Sequence, residues 1–131
     1  MKTRVGTARA LLGVALVAMI GVFAACTPEQ IAAVQAHHNS DKFRHVLSDT
    51  QLQRLRQCES TDRYHITNPS GRYRGAYQFD RQTWNGVAAR HYPNLQGVDP
   101  AAAAPHDQDR MARALWAERG RQPWPHCGRR V

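Results

Sequence analysis

The sequence predicts a small α+β domain that is mainly helical, with a short β-like element. Three observations carry that prediction. Apolar residues recur at helical spacing behind well-marked helix starts. One turn-rich stretch with interleaved aromatics separates the helices. After an export segment is set aside, the remainder of the 131 residues suffices for one core only.

The export segment comes first. Lys2, Arg4 and Arg9 precede an apolar run over 10–23, and Ala24-Ala25-Cys26 follow. A charged start, an apolar run and a small-residue cleavage site make residues 1–25 a signal peptide. The run is shorter than the roughly 20 residues a membrane-spanning helix needs. Phe23-Ala24-Ala25-Cys26 resembles a bacterial lipobox, with Phe23 where leucine is usual. A lipidated Cys26 would anchor the exported protein at the outer face of the membrane. The alternative is an ordinary secretory peptide that leaves Cys26 as a spare thiol. Three cysteines are an odd number for an exported chain. If Cys26 carries lipid, Cys58 and Cys127 remain as a pair.

Residues 26–46 read as a tether. Thr27 is the N-cap, Pro28 the first helical residue and Gln30 the closing residue of a capping box, but the helix they start is weakly amphipathic. The domain proper spans 47–128, with 129–131 as a tail. Ser48 and Gln51 form a second capping box, and Leu47 and Leu52 a hydrophobic staple across it. Leu52, Leu55 and Glu59 share one face of the resulting helix. Residues 60–79 centre on the turn Asn68-Pro69-Ser70-Gly71, flanked by Tyr73, Gly75, Tyr77 and Phe79. This is either a short hairpin or an irregular loop. Asp80 caps a helix through Thr83, Trp84, Val87 and Ala88 that ends before Pro93. A connection over 93–104 leads to a last helix from Pro105 to Arg119, stopped by Gly120. The segment Pro123–Cys127 reads as extended.

Charge and histidines narrow the partners. The net charge of +8 suits an anionic one: wall polymer, lipid surface or nucleic acid. Zinc-finger spacing, a base-reading basic helix and aromatic RNA-binding motifs are all missing from the sequence, so no nucleic acid is expected. His37 and His38 are adjacent rather than one helical turn apart, and no metal or other cofactor is expected. A monomer is expected.

Glu59 stands out because a glutamate at the last turn of an apolar stripe is unusual. Breaking a glycosidic bond needs a carboxylic acid that is still protonated near neutral pH, and burial creates one. The alternative is a solvated glutamate at a helix end. The segments LRQCES, NPSGRYRGAYQFDRQTW and ERGRQPWPHC together resemble the transglycosylase-like domain of actinobacterial resuscitation-promoting factors, over about residues 50–128.

That resemblance implies a lysozyme-like fold with a cleft for the N-acetylmuramic acid–N-acetylglucosamine polymer. It implies Glu59 as acid and then base, with Tyr73, Gln78 and Thr83 near the scissile bond. Their plainer readings are loop packing, strand-end bonding and helix capping. It implies a Cys58–Cys127 disulfide. Trp84 and Trp124 are expected in the core. Asp62 and Asp80 are either a second carboxylate or a loop residue and a helix cap. Four positions depart from the family pattern: Thr61-Asp62 replace a glycine pair, Arg119 replaces a glutamine, and Arg121 replaces a tryptophan. The implied function is a peptidoglycan-cleaving glycosidase, a lytic transglycosylase or muramidase. The alternative is a non-catalytic wall-binding or signalling module of the same fold, held to polymer by arginines such as Arg63 and Arg72.

Overall fold

The computed structural model describes residues 27–39 and 41–131. The signal peptide and the reading of Cys26 as a lipidation site lie outside the described residues. Four α-helices follow in order: α1 (Pro28–Asn39), α2 (Asp49–Ser60), α3 (Arg81–His91) and α4 (Pro105–Arg119). Short 3-10 turns cover Pro93–Leu95 and Cys127–Arg130. Among the described residues, no helix is long and apolar enough to cross a membrane.

The helix starts are where local chemistry puts them. At α1, the Gln30 amide donates to Thr27 Oγ1 (3.2 Å) and the Thr27 amide to Gln30 Oε1 (2.9 Å). Ser48 and Gln51 repeat this box at α2. Leu47 and Leu52 are both buried, as a staple requires. Asp80 caps α3 by accepting from the Thr83 amide at 2.8 Å.

Helix α4 runs through the middle of the domain. Met111, Ala112, Ala114 and Leu115 are buried, together with the polar Gln108 and Arg113. Leu52 and Leu55 of α2 and Trp84 and Val87 of α3 complete the core with Tyr77, Phe79 and Trp124. Each fully buried large apolar side chain contributes about 1.5–3 kcal/mol. The buried polar groups of Gln108 and Arg113 are satisfied. Gln108 Oε1 accepts from the Ala76 amide (2.8 Å), while its Nε2 donates to the carbonyls of Ala103 (2.9 Å) and Tyr64 (3.1 Å). One amide thus ties two loops to the central helix. Arg113 donates to the Leu47 carbonyl (2.9 Å), to Asp41 (2.9 Å) and to Asp49. Residues 41–47 are held against the helices this way, with Tyr92 Oη also donating to Asp41.

Two expectations need correction. The β-like element is only a pair of isolated bridges, Thr67 with Arg74 and Arg74 with Phe79. Positive φ at Gly71 (72°), Gly75 (78°) and Gln78 (52°) breaks the extended backbone three times in eight residues. No ladder can propagate through that. The tail is not extended either. Amide-to-carbonyl bonds Trp124→Arg121 (2.9 Å) and Gly128→Trp124 (2.8 Å) coil it, because Trp124 is buried and Cys127 is tied back to α2. The expected disulfide is present, with Cys58 and Cys127 Cα atoms 5.6 Å apart. It closes 69 residues of chain, a constraint of about 4 kcal/mol in the chain-entropy account.

Candidate active site

Glu59 lies on the last turn of α2 and is half-buried. Leu52 and Leu55 fix that face of the helix inward, and the neighbouring Cys58 is bonded to Cys127. Among the described residues, no hydrogen bond or ion pair meets the Glu59 carboxyl. Burial pushes it above the ordinary carboxylate range, and the charge of His126 partly offsets the rise. A carboxyl that is desolvated and uncommitted is equipped to donate a proton.

The turn after Glu59 is left-handed twice, with φ of 55° at Thr61 and 61° at Asp62. Each such non-glycine residue costs about 1–2 kcal/mol, so a glycine pair would fit this backbone without strain. Here side chains hold it instead. Thr61 Oγ1 donates to the Ser60 carbonyl (2.6 Å), and Arg63 Nε donates to the same carbonyl (2.9 Å). Arg56 Nε donates to Asp62 Oδ1 (2.6 Å), while the Asp62 amide donates to the Arg56 carbonyl (3.1 Å). Asp62 is therefore spent on Arg56 and is not among the charges acting on Glu59.

Arg56 also reaches across the domain. Its Nη1 donates to Tyr77 Oη (3.0 Å) and to Asp109 Oδ1 (3.1 Å). The same Asp109 oxygen accepts from Tyr64 Oη (2.9 Å) and Tyr77 Oη (2.6 Å). Burial and the Asp109 charge push both phenols up, so they stay protonated donors.

Tyr77 carries this network to a cavity of about 170 Å³. Tyr73, Gln78 and Thr83, three positions far apart in local structure, share its wall. Glu59 does not line this cavity; its link to it is Tyr77, gripped by Arg56 one turn before Glu59. Tyr73 presents an exposed ring. Gln78 sits at positive φ with Nε2 donating to the Gly75 carbonyl (3.0 Å). Thr83 Oγ1 donates to Asp80 Oδ2 (2.8 Å). Desolvation pushes the Asp80 carboxyl up, but the Thr83 amide and hydroxyl and the Arg72 charge win and hold it below the ordinary range. Trp84 is fully buried, whereas Trp124 belongs both to the core and to the cavity wall.

Sequence reasoning missed Arg119 as a site residue. It lines this cavity and two adjoining hollows of about 420 Å³ each. One hollow runs past Thr83 and Arg90, the other past Arg121 and Arg129. Arg119 is the residue common to all three. The only signal for it was an arginine in place of glutamine before Gly120. Among the described residues, no three His, Cys, Asp or Glu side chains gather as a metal-ligand set.

Comparison with known proteins points the same way. A family model described as a transglycosylase-like domain matches residues 46–127. A curated relative named "Probable transglycosylase SceD" from Staphylococcus epidermidis is 40% identical over 76 residues, 58% of this chain and 33% of the relative. A protein of the same name from Staphylococcus aureus strain Newman is 33% identical over 95 residues, 72% of this chain and 40% of the relative. The chain thus spans well under half the length of these curated relatives.

Proposed function

Because the chain belongs to the transglycosylase-like domain family, we propose that it cleaves the β-1,4 bond between N-acetylmuramic acid and N-acetylglucosamine in peptidoglycan. Glu59 protonates the oxygen that leaves as the bond breaks. Its carboxylate then takes a proton from the attacking hydroxyl: the sugar's own 6-hydroxyl in a lytic transglycosylase, water in a muramidase. The observation that carries the reading is the half-buried, unpartnered Glu59 carboxyl, raised by desolvation and joined through Arg56 and Tyr77 to the cavity of Tyr73, Gln78 and Thr83. Tyr73 stacks on or bonds a sugar, and the Gln78 amide and Thr83 hydroxyl bond its polar groups. No second carboxylate acts as nucleophile, since Asp62 is committed to Arg56 and Asp80 to Thr83. The substrate's acetamido or 6-hydroxyl group takes that part.

Within the family we read the chain as a resuscitation-promoting-factor domain of lysozyme-like fold, a reading supported by Cys58-Glu59-Ser60, Pro123-Trp124-Pro125 and Cys127. Residues 1–25 export it, Cys26 anchors it by lipid, and 26–46 act as the tether of a monomeric domain on the wall side of the membrane. The decisive experiment is digestion of purified sacculi by wild type and Glu59→Gln. The variant should lose at least about 10³-fold in release of muropeptides, within the range a general acid supplies, with its near-UV spectrum and sacculus binding unchanged. Equal release by the variant would remove Glu59 from the role. Mass spectrometry of the products, anhydro or hydrolysed, assigns the reaction type.

A further inference from the structure

Six of the thirteen arginines from Arg54 onward are committed to carboxylates. Arg56, Arg74, Arg81, Arg90, Arg110 and Arg113 each meet a carboxylate within 3.1 Å. Of the other seven, Arg119, Arg121 and Arg129 are gathered in one place. All three are exposed, and among the described residues none meets a carboxylate. They are three of the five residues that line one hollow, with Gln122 and Pro125. Guanidinium groups gathered without counter-charge repel one another, a cost the fold accepts here.

The gathering is built by backbone. Gly120 ends α4 at φ 57° and ψ −139°, a conformation side-chain-bearing residues rarely adopt, and so turns the chain between Arg119 and Arg121. Gly128 lies flat on Arg121: a Cβ there would come within 2.8 Å of Arg121 Cβ and 3.2 Å of its carbonyl oxygen. That close approach sets Arg129 beside Arg121. The hollow neighbours the Tyr73–Gln78–Thr83 cavity, since Arg119 lines both.

We infer that this hollow is a subsite for carboxylates of the peptide stems that hang from the glycan strand. The inference rests on the proposed peptidoglycan substrate. The N-acetylated sugars are neutral, and the lactyl group that bears a stem is amide-linked. Stem carboxylates are therefore the anions nearest a bound strand. Planar guanidinium forks match a carboxylate bidentately. A strand held in the cavity brings its stems out over Arg119, where Arg121 and Arg129 meet them.

The test is binding of the full domain in a Glu59→Gln background, which leaves the sacculi intact. Three materials are compared: native sacculi, sacculi whose stem carboxylates are converted to neutral amides with a carbodiimide and ammonia, and sacculi freed of phosphodiester-linked polymers by hydrofluoric acid. The protein should bind native and acid-treated sacculi alike, and amidated sacculi about tenfold more weakly. The Arg121→Gln/Arg129→Gln variant should bind native sacculi about tenfold more weakly and match its parent on amidated material. Arg121→Lys/Arg129→Lys should fall between. Equal binding of parent and variant to native sacculi overturns the proposal, as does a preference that vanishes with the phosphodiesters. Failure of cleavage with stem-dependent binding would leave the subsite standing and remove the activity. Cleavage with stem-independent binding would do the reverse.

Discussion

Two helices of this domain end at positive φ by different means. Helix α2 stops on Thr61 in the left-handed helical conformation, φ 55° and ψ 42°, and α4 on Gly120 at φ 57° and ψ −139°. At α2 the turn is made of side-chain-bearing residues, and its charges are consumed internally by the Arg56–Asp62 pair at 2.6 Å. At α4 the turn is made of glycine, and among the described residues the flanking Arg119 and Arg121 meet no carboxylate. A turn held by its own side chains is a mounting for the residue before it, Glu59. A turn that needs no support leaves its charges for something outside the molecule.

The largest way to break the contrast is through the disulfide, which belongs to both regions. Cys58→Ser with Cys127→Ser should lower unfolding free energy by about 4 kcal/mol, read by urea titration of oxidised and variant protein. Release of the tail should also disperse the arginine groove and weaken sacculus binding. Next, Gly120→Ala forces a side chain into a conformation it rarely adopts and should cost about 1–3 kcal/mol in the same titration. Space is not the cause, since a Cβ there meets nothing within 4 Å. The mirror experiment, Thr61→Gly, should sharpen the comparison by stabilising the fold. Relief of a left-handed β-branched residue outweighs the added chain entropy, for a net gain of about 0.5–1 kcal/mol. A loss there would mean that the Thr61–Ser60 bond is the stronger term.

The smallest effect is a shift of pH profile. A general acid works while protonated, so activity should fall as pH rises through the Glu59 pKa. The His126 charge holds that pKa down against burial. His126→Ala should move the alkaline limb of the rate profile to higher pH, and a limb that stays in place would detach His126 from Glu59. Stability follows the same proton. Because burial raises the folded pKa, what Glu59 contributes is fully present below its ordinary pKa and fades as pH rises through the folded one. Glu59→Gln should therefore melt higher than wild type at neutral pH, with the gap closing in acid.

How much of this is legible in sequence depends on how far apart the partners are. Ser48 and Gln51, Asp80 and Thr83, and Arg119 and Gly120 declare helix ends within four residues, and all three ends stand where the pattern puts them. The aromatic-and-glycine stretch before Asp80 looks strand-like by alternation, but Gln78 at positive φ carries no sequence mark of its own. Asp41 and Arg113 pair across 72 residues. No spacing rule reaches that distance. Tyr73, Gln78 and Thr83 share no spacing that would bring them together, and their convergence on one cavity is a property of the folded loop. The arginine groove was invisible because Gly128 against Arg121 is a contact of backbones.

Trp124 has one further use. Its Nε1 donates to the Tyr77 carbonyl at 2.9 Å, its ring stacks on Trp116 with centroids 5.9 Å apart, and it forms part of the cavity wall. An indole in that position is a natural optical gauge. Occupancy of the groove will register in the ultraviolet emission of the unlabelled protein, so saccharide fragments can be titrated by fluorescence without any dye.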